Sequence, residues 1–309
     1  MGISRNLLLW GSKNQWLLNN VPNYGFVKRA VKRFMPGEAL SDAIEAAKDF
    51  LKKDISTVFT RLGENITHIN EAQEVRDHYI DVIEKIYSEK IKTEVSLKLT
   101  QIGLDLSFDK SLEYFNSIAS KALTAGNFVW IDMEGSFYTD VTIDFYRGAK
   151  TINENTGVCM QSYLKRTEKD LESLLGIKPN IRLVKGAYNE PKEIAFEDKS
   201  DVDKNYLRLA GILLAHVKGI GIRAVFGTHD LKLIGEIEKI SAGLNIPRNQ
   251  LEFHMLYGIK PNEQLRLVKE GYKLKVLISY GSAWYPWYMR RLAERPANVG
   301  FVLKNIFSR

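Results

Sequence analysis

Short apolar runs at 56–60, 95–99, 128–133, 157–161, 181–185, 224–227, 251–255 and 275–278 each lead into a longer segment whose apolar residues recur at helical spacing. No run is joined to the next by a two-residue Asn-Gly or Gly-Asn hairpin, so successive strands must be linked through helical crossovers and lie parallel. Eight strand-then-helix units are the number a closed (β/α)8 barrel needs. The 309 residues accommodate such a barrel, typically about 250 residues, plus a modest extension. An open doubly wound sheet would place G-x-G-x-x-G after a strand, whereas Gly219-Ile220-Gly221 precedes one. The expected architecture is an α/β barrel over residues 46–309, preceded by a helical extension over residues 1–45.

Composition excludes several classes. With 45% apolar and 26% charged residues the chain is an ordinary globular one, neither disordered nor fibrous. The net charge of +7 is spread along the whole sequence with no nucleic-acid motif beside it, so no nucleic acid is expected as a partner. Cys159 is the single cysteine and allows no internal disulfide, which suits a reducing compartment. The run Leu7-Leu8-Leu9-Trp10 is too short for a membrane span or a signal-peptide core, so a cytoplasmic protein is expected. Phe26 and Val27, followed by Lys28, Arg29, Val31, Lys32 and Arg33, read as a short amphipathic helix with a basic face. Such a face is either solvated or a peripheral contact with the inner face of the cell membrane.

In a barrel of this kind the polar side chains at the carboxyl ends of the strands gather at one mouth, where the chemistry is sought. Alternation places Lys98 on the face opposite Leu97 and Leu99, inside the barrel, where its charge needs an anion. Asp132 ends the third strand and Gln161 the fourth; Arg182 and Lys185 lie at the fifth, and Thr228-His229 follow the sixth. Gly186 followed by small Ala187 permits a ligand to approach the backbone closely, or marks a bulge with no ligand at all. Near the C-terminus, the segment from Trp284 to Asn298 reads as a short helix, with Pro286 in its first turn and Pro296 beyond its end. Its aromatic residues can roof a cavity, and Arg290 and Arg291 supply the paired donors that hold a carboxylate. Equally, Arg290 and Glu294 at i, i+4 can form a plain surface pair. The histidines lack zinc-site spacing and there is no G-x-S-x-G elbow, so neither a metal nor a serine or thiol nucleophile is expected. The inventory is cationic and hydrogen-bonding, which suits a site that binds a large cofactor and lets it carry the reaction.

Seven stretches then fall into one ordered pattern: Val95-Ser96-Leu97-Lys98-Leu99, Asp132-Met133-Glu134, Met160-Gln161-Ser162-Tyr163, Arg182-Leu183-Val184-Lys185-Gly186-Ala187-Tyr188, Thr228-His229, Phe253-His254-Met255-Leu256-Tyr257-Gly258 and Tyr285-Pro286 continuing to Arg290-Arg291-Leu292-Ala293-Glu294-Arg295-Pro296. Together they closely resemble the monofunctional bacterial proline dehydrogenases. That resemblance implies a distorted (β/α)8 barrel holding FAD. It also implies oxidation of L-proline to Δ1-pyrroline-5-carboxylate by hydride transfer to flavin N5, with electrons passing to a membrane quinone. By position, Arg290, Arg291 and Lys98 would hold the substrate carboxylate and Asp132 would sit beside the reacting ring, with Arg182 as a cation near the flavin. Met133, Gln161, Arg182, Lys185, Gly186, Ala187, Thr228 and His229 match flavin contacts, and Glu64 matches a lid carboxylate that pairs with Arg290.

The departures bear on the substrate. Leu277 stands where the family has a tyrosine against the substrate ring, Ser279 replaces a proline, Thr60 an aspartate and His254 a glutamine. Two further readings therefore stay open. One is a flavoprotein oxidising hydroxyproline or another cyclic imino acid; the other is a non-catalytic ligand-binding barrel.

Overall fold

The computed structural model describes residues 10–11, 14–20, 24, 27, 31–63 and 66–294. Its centre is a closed barrel in which β1 (Ser56–Arg61), β2 (Thr93–Lys98), β3 (Val129–Asp132), β4 (Thr156–Gln161), β5 (Asn180–Val184), β6 (Arg223–Gly227), β7 (Glu252–Leu256) and β8 (Lys273–Tyr280) follow one another around the ring. Every neighbouring pair is parallel, including β1 with β8, which closes the ring. Each expected strand falls on an observed one, with ends displaced by a few residues. Leu99, for example, leaves the strand for a 3-10 turn, and β8 runs longer in both directions than 275–278.

The helices are α1 (Gln15–Asn20), α2 (Leu40–Leu51), α3 (Ile69–Ser88), α4 (Phe108–Thr124), α5 (Thr139–Ile152), α6 (Thr167–Leu174), α7 (Lys199–Ile220), α8 (Leu231–Gly243), α9 (Pro261–Lys269) and α10 (Trp284–Glu294). Local signals start and stop several of them. The Ser107 hydroxyl accepts from the Lys110 N–H at the head of α4, the Asp230 carboxylate caps α8, and Gly221 at φ +73° ends α7. α2 begins before residue 45 and already belongs to the main core, which it enters through Ala43, Ile44 and Ala47.

Strand alternation divides the side chains into two populations. Val95, Leu97, Val129, Ile131, Ile181, Leu183, Phe226 and Phe253 join the core between barrel and helices. Inward, the same strands present polar groups. Near the strand starts, Arg223 binds Glu252 (2.6 Å) and Glu94 (2.9 Å), and Lys275 also binds Glu94 (2.9 Å). Unpaired, any of these charges would be costly in a low-dielectric interior; here two carboxylates face two cations.

His254, fully enclosed beside this group, contacts Glu252 through Nε2 at 3.1 Å. Burial holds its imidazole down to about 4 against an ordinary 6.5, although the hydrogen bond to Glu252 pulls the other way. The ring is therefore neutral at pH 7, and Nε2–H donates to the carboxylate. An unfolded chain takes up this proton near its ordinary value, the folded chain only near 4. This stability is thus complete above the unfolded value and lost as pH falls through the window, a linkage on the order of 3 kcal/mol. Urea midpoints at pH 7 and pH 5 are expected to differ more in the native chain than in His254→Gln; equal differences would show that His254 does not carry the dependence.

A second core lies outside the barrel mouth. Val27, Val31, Phe34 and Met35 pack with Trp284, Tyr285, Trp287 and Tyr288 of α10. The apolar side of the basic N-terminal segment is thus buried on α10, leaving Lys32 and Arg33 exposed; Phe26, Lys28 and Arg29 lie outside the described residues. Among the described residues no helix is long and apolar enough to cross a membrane.

Candidate active site at the barrel mouth

β2 and β3 run in register so that Lys98 stands beside Asp132 at the mouth. One level down, Ser96 donates its hydroxyl to Asp132 Oδ1 at 2.9 Å and receives Arg182 Nη2 at 2.9 Å; the same nitrogen binds Asp132 directly. Arg182 is only 3% exposed and Asp132 21%. Burial opposes the charge on Arg182, but the attraction of Asp132, joined by Cys159 and Glu94, more than offsets it and holds the guanidinium pKa above its ordinary value. Its second nitrogen, Nη1, is buried without a hydrogen-bond partner among the described residues.

Gln161 at the end of β4 shows the same pattern. Its Nε2 donates to the Glu134 carbonyl at 3.2 Å, while its Oε1 is buried with no partner among the described residues. An orphaned donor and an orphaned acceptor, both buried at one mouth, are what a bound polar ring would satisfy. Gly186 adds a cradle. It adopts φ +117°, and a Cβ there would lie 2.3 Å from the Tyr163 ring, so only glycine fits. Thr228 accepts from the Asp230 N–H through its hydroxyl at 3.1 Å, and His229 Nε2 accepts the Leu256 N–H at 2.7 Å, which fixes its tautomer with the proton on Nδ1. Burial pushes the Cys159 thiol up, which makes it a poor nucleophile.

Some expected residues stand in company that the sequence did not suggest. Lys185 is held by Asp203 at 2.5 Å and Asp230 at 3.0 Å, in a cluster that Lys199 completes. Hydrogen bonds from the two lysines hold the Asp230 carboxyl well below the usual range despite its partial burial, so Asp230 is ionised throughout the neutral range. Met133 is buried directly after Asp132, and Leu277 packs in the barrel interior with Val58, Trp130, Val225 and Phe128. Arg291 is half-buried on α10; Glu64 lies outside the described residues, as does the side chain of Arg290, so the expected lid pair does too.

Glu134 and Ser96 do structural work that sequence reading passed over. The Glu134 carboxylate accepts from the Thr100 N–H (3.1 Å) and hydroxyl (2.8 Å), tying the β3 exit to the loop after β2. Glu94, Ser96 and Lys98, polar at i, i+2 and i+4 on β2, were the available signal: a strand with a polar inner row.

Known proteins resemble this chain over nearly its whole length. The proline dehydrogenase family model matches residues 43–304. Proline dehydrogenase 1 of Bacillus subtilis is 36% identical over 305 residues, covering 99% of each chain. The chain belongs to the proline dehydrogenase family. Another relative, the proline dehydrogenase of Deinococcus radiodurans, is 37% identical over 284 residues, 89% of each protein. The proline dehydrogenase barrel described above also matches a solved structure, proline utilization A from Bdellovibrio bacteriovorus, with a TM-score of 0.81 and 23% identity. That match covers 98% of this chain and 39% of the larger one, and bears on the fold.

Proposed function

We propose that this chain oxidises L-proline to Δ1-pyrroline-5-carboxylate, using FAD as the immediate acceptor and a membrane quinone as the final one. The observation that carries the reading is the buried Arg182–Asp132 pair with Arg182 Nη1 and Gln161 Oε1 left over beside it. Arg182, Gln161, the Lys185-Gly186-Ala187 turn, Thr228, His229 and the backbone of Met133 would hold the cofactor. When bound, FAD supplies the two-electron acceptor for the hydrogen leaving the substrate's ring carbon.

The chain's own residues then have three tasks. Arg290, Arg291 and Lys98 bind the carboxylate, and their positive charge lowers the proton affinity of the nearby amine so that it reacts neutral. Asp132, paired with Arg182, lines the place of the ring. Trp284 and Tyr285, each under 4% exposed at the head of α10, belong to the roof that keeps water from the mouth. The same reading keeps an N-terminal helical extension ahead of the catalytic barrel, with the expected boundary at residue 45 drawn back to before α2, in a cytoplasmic protein whose membrane contact is peripheral, through the basic N-terminal face.

Leu277 favours proline over hydroxyproline as the substrate. Its neighbours Val58, Trp130 and Val225 form an apolar group with no hydrogen-bonding atom of their own toward an added hydroxyl beyond the indole N–H, which Glu94 already takes at 2.7 Å. Leu277→Tyr, which adds a phenol at this wall, is expected to raise the preference for proline over trans-4-hydroxy-L-proline about tenfold in kcat/KM through steric exclusion; an unchanged ratio would remove position 277 from the substrate wall. The reading as a whole is tested by the visible spectrum of the purified protein and anaerobic titration with each imino acid. Bleaching of a flavin band by proline at the lower concentration supports it. A protein that remains colourless after FAD reconstitution refutes it and leaves the ligand-binding barrel.

A further inference from the structure

Along the inside of the barrel the structure alternates cations with aromatic rings. Arg182 Cζ lies over the Trp130 ring at 5.0 Å, Arg223 Cζ lies over the same ring at 5.0 Å, and Arg223 Cζ is 4.5 Å from the Phe128 centroid. Register puts the two guanidiniums on successive levels, because Arg182 pairs with Val225, two residues beyond Arg223. The indole is locked in place. Its N–H donates to Glu94 Oε2 at 2.7 Å, and Glu94 is itself clamped by Arg223 and Lys275. Toward β4 the ring fills the space over Gly157, where a Cβ would come within 2.5 Å of it. The His254 ring meets it edge-on at 5.7 Å.

At the upper end of this column, Asp132 and Ser96 both engage Nη2 of Arg182. The Asp132 and Ser96 contacts meet at one nitrogen and fix a point; with the Cys159 thiol also beside the guanidinium, the broad surface that sets its plane is the face of Trp130. We propose that Trp130, held by Glu94 and by the missing side chain of Gly157, is a positioning residue for the reaction: it fixes the plane of Arg182 so that its unpartnered Nη1 is presented to the bound flavin. This rests on the flavin reading given above. Nothing in the proposal requires Trp130 to touch substrate. Its effect is therefore on the electrostatics of the flavin, since a cation kept close makes that group a better acceptor, and not on carboxylate binding.

The test uses the flavin-loaded full chain and three variants, Trp130→Leu, Trp130→Phe and Gly157→Ala. The readouts are flavin content, the two-electron potential, the dissociation constant of the sulfite adduct, and kcat and KM for proline. Trp130→Leu removes the face, and Gly157→Ala leaves every partner in place but displaces the indole. Both are expected to retain flavin and to weaken acceptance about tenfold, which for a two-electron couple is a potential lower by about 30 mV. Sulfite affinity and kcat fall by a similar factor, while KM stays within about threefold because the carboxylate clamp lies elsewhere. Trp130→Phe, which keeps an aromatic face, recovers most of the loss. Native potentials in Trp130→Leu and Gly157→Ala overturn the proposal, as does a loss confined to KM. Should Trp130→Leu fail to fold, Gly157→Ala and Trp130→Phe decide by the same readings. A native chain that binds no flavin sinks the underlying reading itself, and a flavin-bearing variant with unchanged potential sinks only the role of Trp130.

Discussion

Asp132→Ala is expected to destabilise the fold by about 3–5 kcal/mol, the usual cost of leaving one member of a buried ion pair without its partner. Arg182 is 3% exposed, and without Asp132 its guanidinium keeps the Ser96 hydroxyl, the Cys159 thiol and the Trp130 face near it, none of them a carboxylate. Asp132→Asn should cost nearly as much, because the amide restores an acceptor but not the charge. The distinguishing control is the double variant Asp132→Ala with Arg182→Met, which removes both charges and fills the space with an apolar chain. It is expected to regain most of the loss, since replacing a buried pair by apolar groups of similar volume is close to neutral. Urea denaturation measures all of these. A loss below about 1 kcal/mol for Asp132→Ala, the scale of one ordinary hydrogen bond, would show that the charge on Arg182 is balanced from elsewhere, with Glu94 the next carboxylate along the column.

The second large effect concerns the substrate. Arg291→Ala is expected to raise KM for proline about a hundredfold, the equivalent of roughly 2.7 kcal/mol, while flavin content and the flavin spectrum stay native. The carboxylate of an imino acid is a compact anion, and α10, which directly follows β8, carries Arg291 half-buried. Losing one charge-assisted contact removes binding in ground and transition states alike, so kcat falls less than KM rises. Arg291→Lys keeps charge but not the planar fork and should lie between the two. A KM within about threefold of native in Arg291→Ala, where uniform binding is lost by definition of the clamp, would take Arg291 out of the substrate site.

Two kinds of residue make up the mouth and its surroundings. Lys98, Asp132, Gln161 and Arg182 could be read as mouth residues because period-two alternation and strand ends are local properties, and a barrel turns them into one place. Lys185 could be placed there too, but not its partners: Asp203 comes from α7 and Asp230 from the head of α8, far along the chain. Nothing in the run around Lys185 announces them. Trp130 reads as one more apolar strand residue until its indole meets Glu94 of the neighbouring strand and its ring occupies the gap above Gly157. The basic N-terminal face was visible as a pattern, while the docking of its apolar side onto α10 was not, because both halves of that contact are amphipathic and either would also suit another partner.

The sequence alone determined the barrel and its inner rows. Eight apolar runs separated by helical lengths leave parallel closure as the economical way to bury both sheet faces, and alternation dictates which side chains point inward. Only the tertiary structure decided which inward charges neutralise one another. The pairs Arg182 with Asp132, Arg223 with Glu252 and Lys275 with Glu94 join different strands, and their match depends on the stagger of the closed ring, which no local pattern encodes.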